Sequence, residues 1–128
     1  MKNQPIFVLG DGDNIRETIE SLLFNKDFEK LSDVSEQLTE SIKFIKSKAI
    51  SEMGAQVIMA GGDDVLFILD KATYARQNIE RLAEFFQTQT GNTMSFGVGE
   101  TIETAYLNLR KAKASRSGTV IDQGVKHE

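Results

Sequence analysis

The chain has 128 residues, of which 40% are hydrophobic and 27% charged. That composition suits about one globular domain whose core needs no disulfide or metal staple. Cysteine is absent and the single histidine, His127, stands one residue from the end. This excludes a disulfide framework, a thiolate zinc site and a cysteine nucleophile, and leaves a Ser-His-Asp triad or histidine metal cage without a core histidine. Nineteen acidic residues against 15 basic ones give a net charge of -4, which argues against a duplex-binding protein, since that needs a basic face. Catalysis by such a chain would run on carboxylates, with a hard metal ion as the natural helper.

The first apolar run, Ile6 to Leu9, is too short for a signal-peptide core or a spanning helix. A soluble, cytoplasmic protein with no membrane insertion is expected. Ile6-Phe7-Val8-Leu9 reads as a buried strand that stops at Gly10-Asp11-Gly12-Asp13. Asn14 is placed to cap a helix carrying Ile15, Ile19, Leu22 and Leu23 at helical spacing. From Phe28 to Met53, Leu31, Val34, Leu38, Ile42, Ile45, Ala49 and Met53 recur at steps of three and four, predicting a long amphipathic helix with room for a break near Ser32 or Ser35.

Val57 to Ala60 and Val65 to Leu69 are apolar runs around Gly61-Gly62-Asp63-Asp64, the pattern of a β-hairpin. A helix from Thr73 with Ile79, Leu82 and Phe86 inward follows, then an alternating strand Met94 to Val98. A last helix carries Ile102, Ala105, Leu109 and Ala112, and Thr119 to Ile121 can form a final strand before a polar, frayed tail after about residue 122. Without the extra long helix the order is βαββαβ, an α+β, ferredoxin-like split βαβ within a single domain over 1–128.

That topology sets the end of the first strand beside the hairpin turn. Asp11 and Asp13 would then approach Asp63 and Asp64 from about 50 residues away in sequence. Either acidic turn alone is an ordinary solvated turn; their convergence is the signal. Clustered carboxylates repel unless a cation lies between them. Mg²⁺ suits oxygen ligands and substrate phosphates, and a pair of such ions can clamp an in-line phosphoryl displacement. Gly61 and Gly62 would let the hairpin backbone approach a base or ribose. Gly12 would let the strand end turn into a helix whose amides hold phosphate. Arg110, Lys111, Lys113 and Arg116, at the end of the last helix, offer cations for a triphosphate.

The strand with Gly-Asp-Gly-Asp-Asn, the Gly-Gly-Asp-Asp hairpin, Ser95-Phe96-Gly97-Val98-Gly99 and Ala112-Lys113 together resemble the palm of GGDEF diguanylate cyclases. They resemble more the polymerase palm of the type III CRISPR large subunit, and over residues 5 to 122 the stand-alone minimal CRISPR polymerase family, mCpol. The resemblance implies Asp11, Asp63 and Asp64 as catalytic carboxylates. With the Gly12 carbonyl they would ligate two Mg²⁺ (or Mn²⁺) per site. It implies a nucleotide-binding set of Gly12, Asp13, Asn14, Ile15, Gly61, Gly62, Lys113 and Arg116. Asn14 would lie near ribose or base and Lys113 would hold the triphosphate. The implied activity is condensation of ATP into a cyclic oligonucleotide, cyclic diadenylate for this family, in anti-phage defence. The implied partners are a second copy with an apposed site and a nucleotide-binding effector, often one with membrane helices.

The chain departs from GGDEF enzymes in having Asp64 for Glu and Val65 for an aromatic. Gln56 to Ala60 carries no inhibitory Arg-x-x-Asp. The run Ala112 to Gly118 exchanges a basic and a glycine position. A mononucleotide cyclase on the same palm and a non-catalytic nucleotide sensor are the alternatives.

Overall fold

The computed structural model describes residues 4–116 and 118–126; His127 lies outside them. The elements are β1 (Pro5–Gly12), α1 (Ile15–Phe24), α2 (Phe28–Met53), β2 (Gln56–Gly61), β3 (Asp64–Asp70), a 3₁₀ turn (Lys71–Thr73), α3 (Arg76–Thr90), β4 (Met94–Gly99), α4 (Ile102–Ser115) and β5 (Val120–Ile121). The sheet order is β2-β3-β1-β4-β5. β1 runs antiparallel to both β3 and β4, β2 antiparallel to β3, and β5 parallel to β4. The first four strands with α1, α2 and α3 form the expected ferredoxin-like α+β unit, and α4 with β5 extends the sheet beyond its β4 edge.

Alternation along β1 buries Ile6 and Val8, and their partners across the sheet, Leu69, Phe67 and Val98, point the same way. This face meets Ile42, Ile45 and Ala49 of α2 and Ile79, Leu82 and Phe86 of α3 in one core. α2 is unbroken for 26 residues, with Ser32 and Ser35 on its solvent side. At 1.5 Å per residue it spans about 39 Å, longer than the sheet it covers. Its first turns therefore overhang, and Phe28 is 62% exposed while Leu38 to Met53 supply the buried stripe. The α1 pattern also holds only in part: Ile15 is buried, but Leu23 lies outside.

β4 departs from simple alternation because both its faces are covered. Met94, Phe96 and Val98 enter the core, while the other face meets α4. A Cβ at Gly97 would lie 2.1 Å from the Leu109 amide nitrogen and 2.2 Å from the Ala105 carbonyl oxygen. α4 thus sits directly on the β4 backbone, and this close contact places its last turns near the end of β1.

The chain after β5 is tied down rather than frayed. Asp122 accepts from the Tyr74 hydroxyl and from Arg76, both at 2.9 Å. Buried Asn108 donates to the Gln123 carbonyl at 3.0 Å, and the Lys126 amide donates to Glu100 at 2.9 Å. Side-chain partners outweigh polar composition there. No helix among the described residues is long and apolar enough to cross a membrane.

Candidate functional site

β1 continues through Gly10 to Gly12, so Asp11 is a strand residue, paired across the sheet with Asp64. Gly61 pairs with Asp64, leaving Gly62 and Asp63 as the hairpin turn. Gly62 has φ +60°, the left-handed conformation that a two-residue hairpin turn asks of its first central position. The Gly12 amide donates to the Asp63 carbonyl at 2.9 Å. A Cβ on Gly12 would come within 3.1 Å of the Asp63 Cβ. Gly12 therefore serves close approach of the two loops, and the left-handed residue that turns β1 into α1 is Asn14, φ 59°. The Asn14 side chain makes no capping bond.

This geometry brings one carboxylate oxygen from each of Asp11, Asp63 and Asp64 within 4.8 Å of one another. All three are partly exposed. A hydrogen bond with Asp11, burial and the Asp11 and Asp63 charges push the Asp64 carboxyl up to about 7. Burial and the Asp11 charge raise Asp63. Three carboxylate oxygens crowded within 4.8 Å of one another are hard donors that fit a hard divalent cation such as Mg²⁺, which would relieve their repulsion.

Lys113 arrives from α4. Its Nζ donates to the carbonyls of Asp11 (3.1 Å) and Gly12 (3.0 Å) and to Asp13 Oδ1 (2.7 Å), and lies 3.1 Å from Asp11 Oδ2. Burial alone would lower the Lys113 pKa, but the bonds to Asp13 and Asp11 raise it, so the side chain is an ammonium. A cavity of about 910 Å³ opens beside the carboxylates. Asp11, Asp63, Asp64 and Lys113 line one end, Asn14, Ile15 and Ile19 continue its wall, and Arg110 flanks it.

Other sequence candidates go elsewhere. Asp13 is 4% exposed and faces the interior. It accepts from Thr93 Oγ1 (2.7 Å), Ser95 Oγ (2.9 Å) and the Gly118 amide (2.9 Å) besides Lys113. Burial raises its pKa, but the bonds from Lys113, Thr93 and Ser95 outweigh this and hold it below the usual carboxylate range. Arg116 lines a separate cavity of about 330 Å³ with Glu80, Glu84 and Thr93. Lys111 turns to Gln123, at 2.7 Å. Gly61 and Gly62 lie at the turn, outside the large cavity, and a Cβ on either would meet nothing within 4 Å. Arg16, Glu17 and Glu20, which line the cavity from α1, and Thr93 carry no motif that singles them out, and Ser95 stands in a quoted motif without a role of its own. Ser95 had a signal: a lone hydroxyl in a buried apolar strand must find a partner.

Residues 7–122 match the mCpol family, described as the minimal CRISPR polymerase domain. No curated protein matches the chain. Among solved structures, the Csm1-Csm4 cassette in complex with cA4 is similar at a TM-score of 0.70 and 20% identity, over 91% of this chain and 20% of that chain. The same cassette in complex with one ATP gives 0.70 at 21% identity, again over 91% of this chain and 20% of that chain. The active GGEEF domain of a diguanylate cyclase from Vibrio cholerae gives 0.54 at 16% identity, over 92% of this chain and 82% of that one. The chain therefore spans only a fifth of the Csm1-Csm4 chain it resembles, and what these likenesses establish is a shared fold.

Proposed function

The chain belongs to the mCpol family of minimal CRISPR polymerase domains, and from that premise we propose that it is a metal-dependent nucleotidyltransferase that condenses ATP into a cyclic oligonucleotide with release of pyrophosphate. The observation that carries this reading is the convergence of Asp11, Asp63 and Asp64 within 4.8 Å at one end of a cavity that also holds an ammonium, Lys113. Similar solved palms in complex with one ATP, pppApA and cA4 support ATP as the substrate class.

Asp11, Asp63, Asp64 and the Gly12 carbonyl would hold two Mg²⁺ or Mn²⁺ ions. The chemistry such ions supply is a lowered hydroxyl pKa and neutralised charge on departing pyrophosphate. Lys113 would bind triphosphate oxygens as a point charge, with Arg110 at the flank of the cavity. Ile15 and Ile19 would pack against a base while Asn14 hydrogen-bonds ribose or base. The open hairpin glycines, Gly61 and Gly62, would let an acceptor nucleotide reach the carboxylates. The described residues hold one such set, so ring closure calls for a homodimer with apposed sites. The product would act as a signal in anti-phage defence, read by a nucleotide-binding effector, one with membrane helices in the fullest form of this reading.

The test is to incubate the protein with ATP and Mg²⁺ or Mn²⁺ and follow pyrophosphate release and product mass. A cyclic dinucleotide or larger ring is expected, and none from Asp63→Ala/Asp64→Ala with unchanged circular dichroism. Robust synthesis by that double variant would sink the metal-site account. A 3′,5′-cyclic mononucleotide mass would reassign the reaction, and ATP binding without turnover would make the chain a sensor.

A further inference from the structure

Asp13 is the one carboxylate of the Gly-Asp-Gly-Asp segment that a ligand cannot reach, being 4% exposed. Its donors come from three different parts of the chain: Thr93 and Ser95 in and before β4, the Gly118 amide after α4, and Lys113 on α4. A carboxylate buried with this many donors stays ionised, and a buried charge needs a charged partner. Lys113 is that partner, at 2.7 Å.

The ammonium faces more acceptors than it has hydrogens. Its three N–H groups meet four oxygens: the Asp11 and Gly12 carbonyls, Asp13 Oδ1 and Asp11 Oδ2. Three of these are fixed in the protein interior or backbone. The fourth, the Asp11 carboxylate, lies on the cavity wall with its side chain 36% exposed. It is the one contact that Lys113 can release without losing its seat. An ammonium with no interior counter-charge would be drawn among Asp11, Asp63 and Asp64, where a cation would have to sit.

We infer that Asp13 is a positioning residue: it anchors Lys113 beside the carboxylate cluster rather than within it, leaving the ammonium free to trade the Asp11 carboxylate for a phosphate oxygen. The inference rests on the nucleotide reading above, and acts through Lys113 rather than by contact with substrate.

The experiment is a double-mutant cycle on ATP affinity, measured by calorimetry with Mg²⁺. Asp13→Asn should weaken ATP binding about tenfold, the value of one charge-assisted hydrogen bond. In a Lys113→Met background the same change should alter affinity less than twofold. Ser95→Ala, which keeps the charge pair, should lower the melting temperature yet leave affinity within twofold. Wild-type affinity in Asp13→Asn, or an equal loss in both backgrounds, would overturn the inference. If Asp13→Asn does not fold, ¹⁵N NMR of the wild type decides. The Lys113 NH₃⁺ signal, assigned by its loss in Lys113→Met, should be protected from exchange and persist when Mg²⁺ is added. Loss of that signal with Mg²⁺ overturns the anchor. Failure of the wild type to bind ATP sinks the nucleotide reading instead, and the NMR arm with Mg²⁺ alone still tests Asp13.

Discussion

Gly97→Ala tests whether the close seating of α4 on β4 is what delivers Lys113 to the carboxylates. The new Cβ would stand 2.1 Å from the Leu109 nitrogen and 2.2 Å from the Ala105 oxygen. Both are backbone atoms of a helix, so no rotamer change can relieve the clash. Restoring an ordinary contact of 3.4 Å moves α4 outward by about 1.3 Å. Lys113 lies one turn beyond Leu109 and travels with it. Its 2.7 Å bond to Asp13 and 3.1 Å contact with Asp11 then stretch past hydrogen-bonding distance. Overpacking costs about 1–3 kcal/mol, and a weakened charge-assisted bond to a buried carboxylate adds about 1.5–3 kcal/mol. A total near 4 kcal/mol, at about 4 °C per kcal/mol for a domain of this size, lowers the melting temperature by roughly 15 °C. Thermal and urea unfolding followed by circular dichroism measure this, with ATP titration at low temperature alongside. A variant melting within 3 °C of the wild type and binding ATP equally well would refute the coupling between the glycine contact and the site.

The raised Asp64 carboxyl predicts how pH acts. Between the ordinary carboxylate range and about 7 the folded chain binds a proton that the unfolded chain does not, so this group favours folding in that window and its contribution is lost as pH rises through about 7. Mg²⁺ competes with the proton, so the Mg²⁺-induced gain in melting temperature should be larger at pH 8 than at pH 6; an equal or larger gain at pH 6 would contradict the shared site. Arg116 faces the smaller cavity, so Arg116→Ala should change ATP affinity less than twofold while Lys113→Met lowers it at least tenfold, both by calorimetry. Gly61→Ala adds a Cβ to open space and should leave stability within about 0.5 kcal/mol. A fall in turnover without a fall in melting temperature would mark the hairpin backbone as a nucleotide contact, and unchanged turnover would remove it from the site.

Much of this arrangement was legible beforehand because its determinants are local. Periodicity in Leu38 to Met53 and alternation in Ile6 to Leu9 specify elements, and a Gly-Gly-Asp-Asp turn between two apolar runs specifies a hairpin. Given the split βαβ order, antiparallel pairing sets Asp11 across from Asp64. The less legible parts depend on contacts between distant segments. The overhang of α2, the doubly covered β4 and the tethering of residues 122–126 to Tyr74, Arg76 and Glu100 follow from which faces meet, and no single stretch encodes that. Residue type and spacing thus selected the acidic segments but could not sort their members. Two residues apart, Asp11 and Asp13 would share one face of a continuing strand, but β1 ends at Gly12 and the chain turns through the left-handed Asn14, so Asp13 leaves the strand's alternation and its side chain goes inward. One meets Asp63 and Asp64 at the cavity. The other meets Thr93, Ser95, Gly118 and Lys113 inside. The sequence by itself determined that carboxylates would gather at this end of the sheet. Only the tertiary structure decided which of them face solvent to hold a cation and which turns inward to hold the lysine, because burial and partner charges come from elements 80 to 105 residues away.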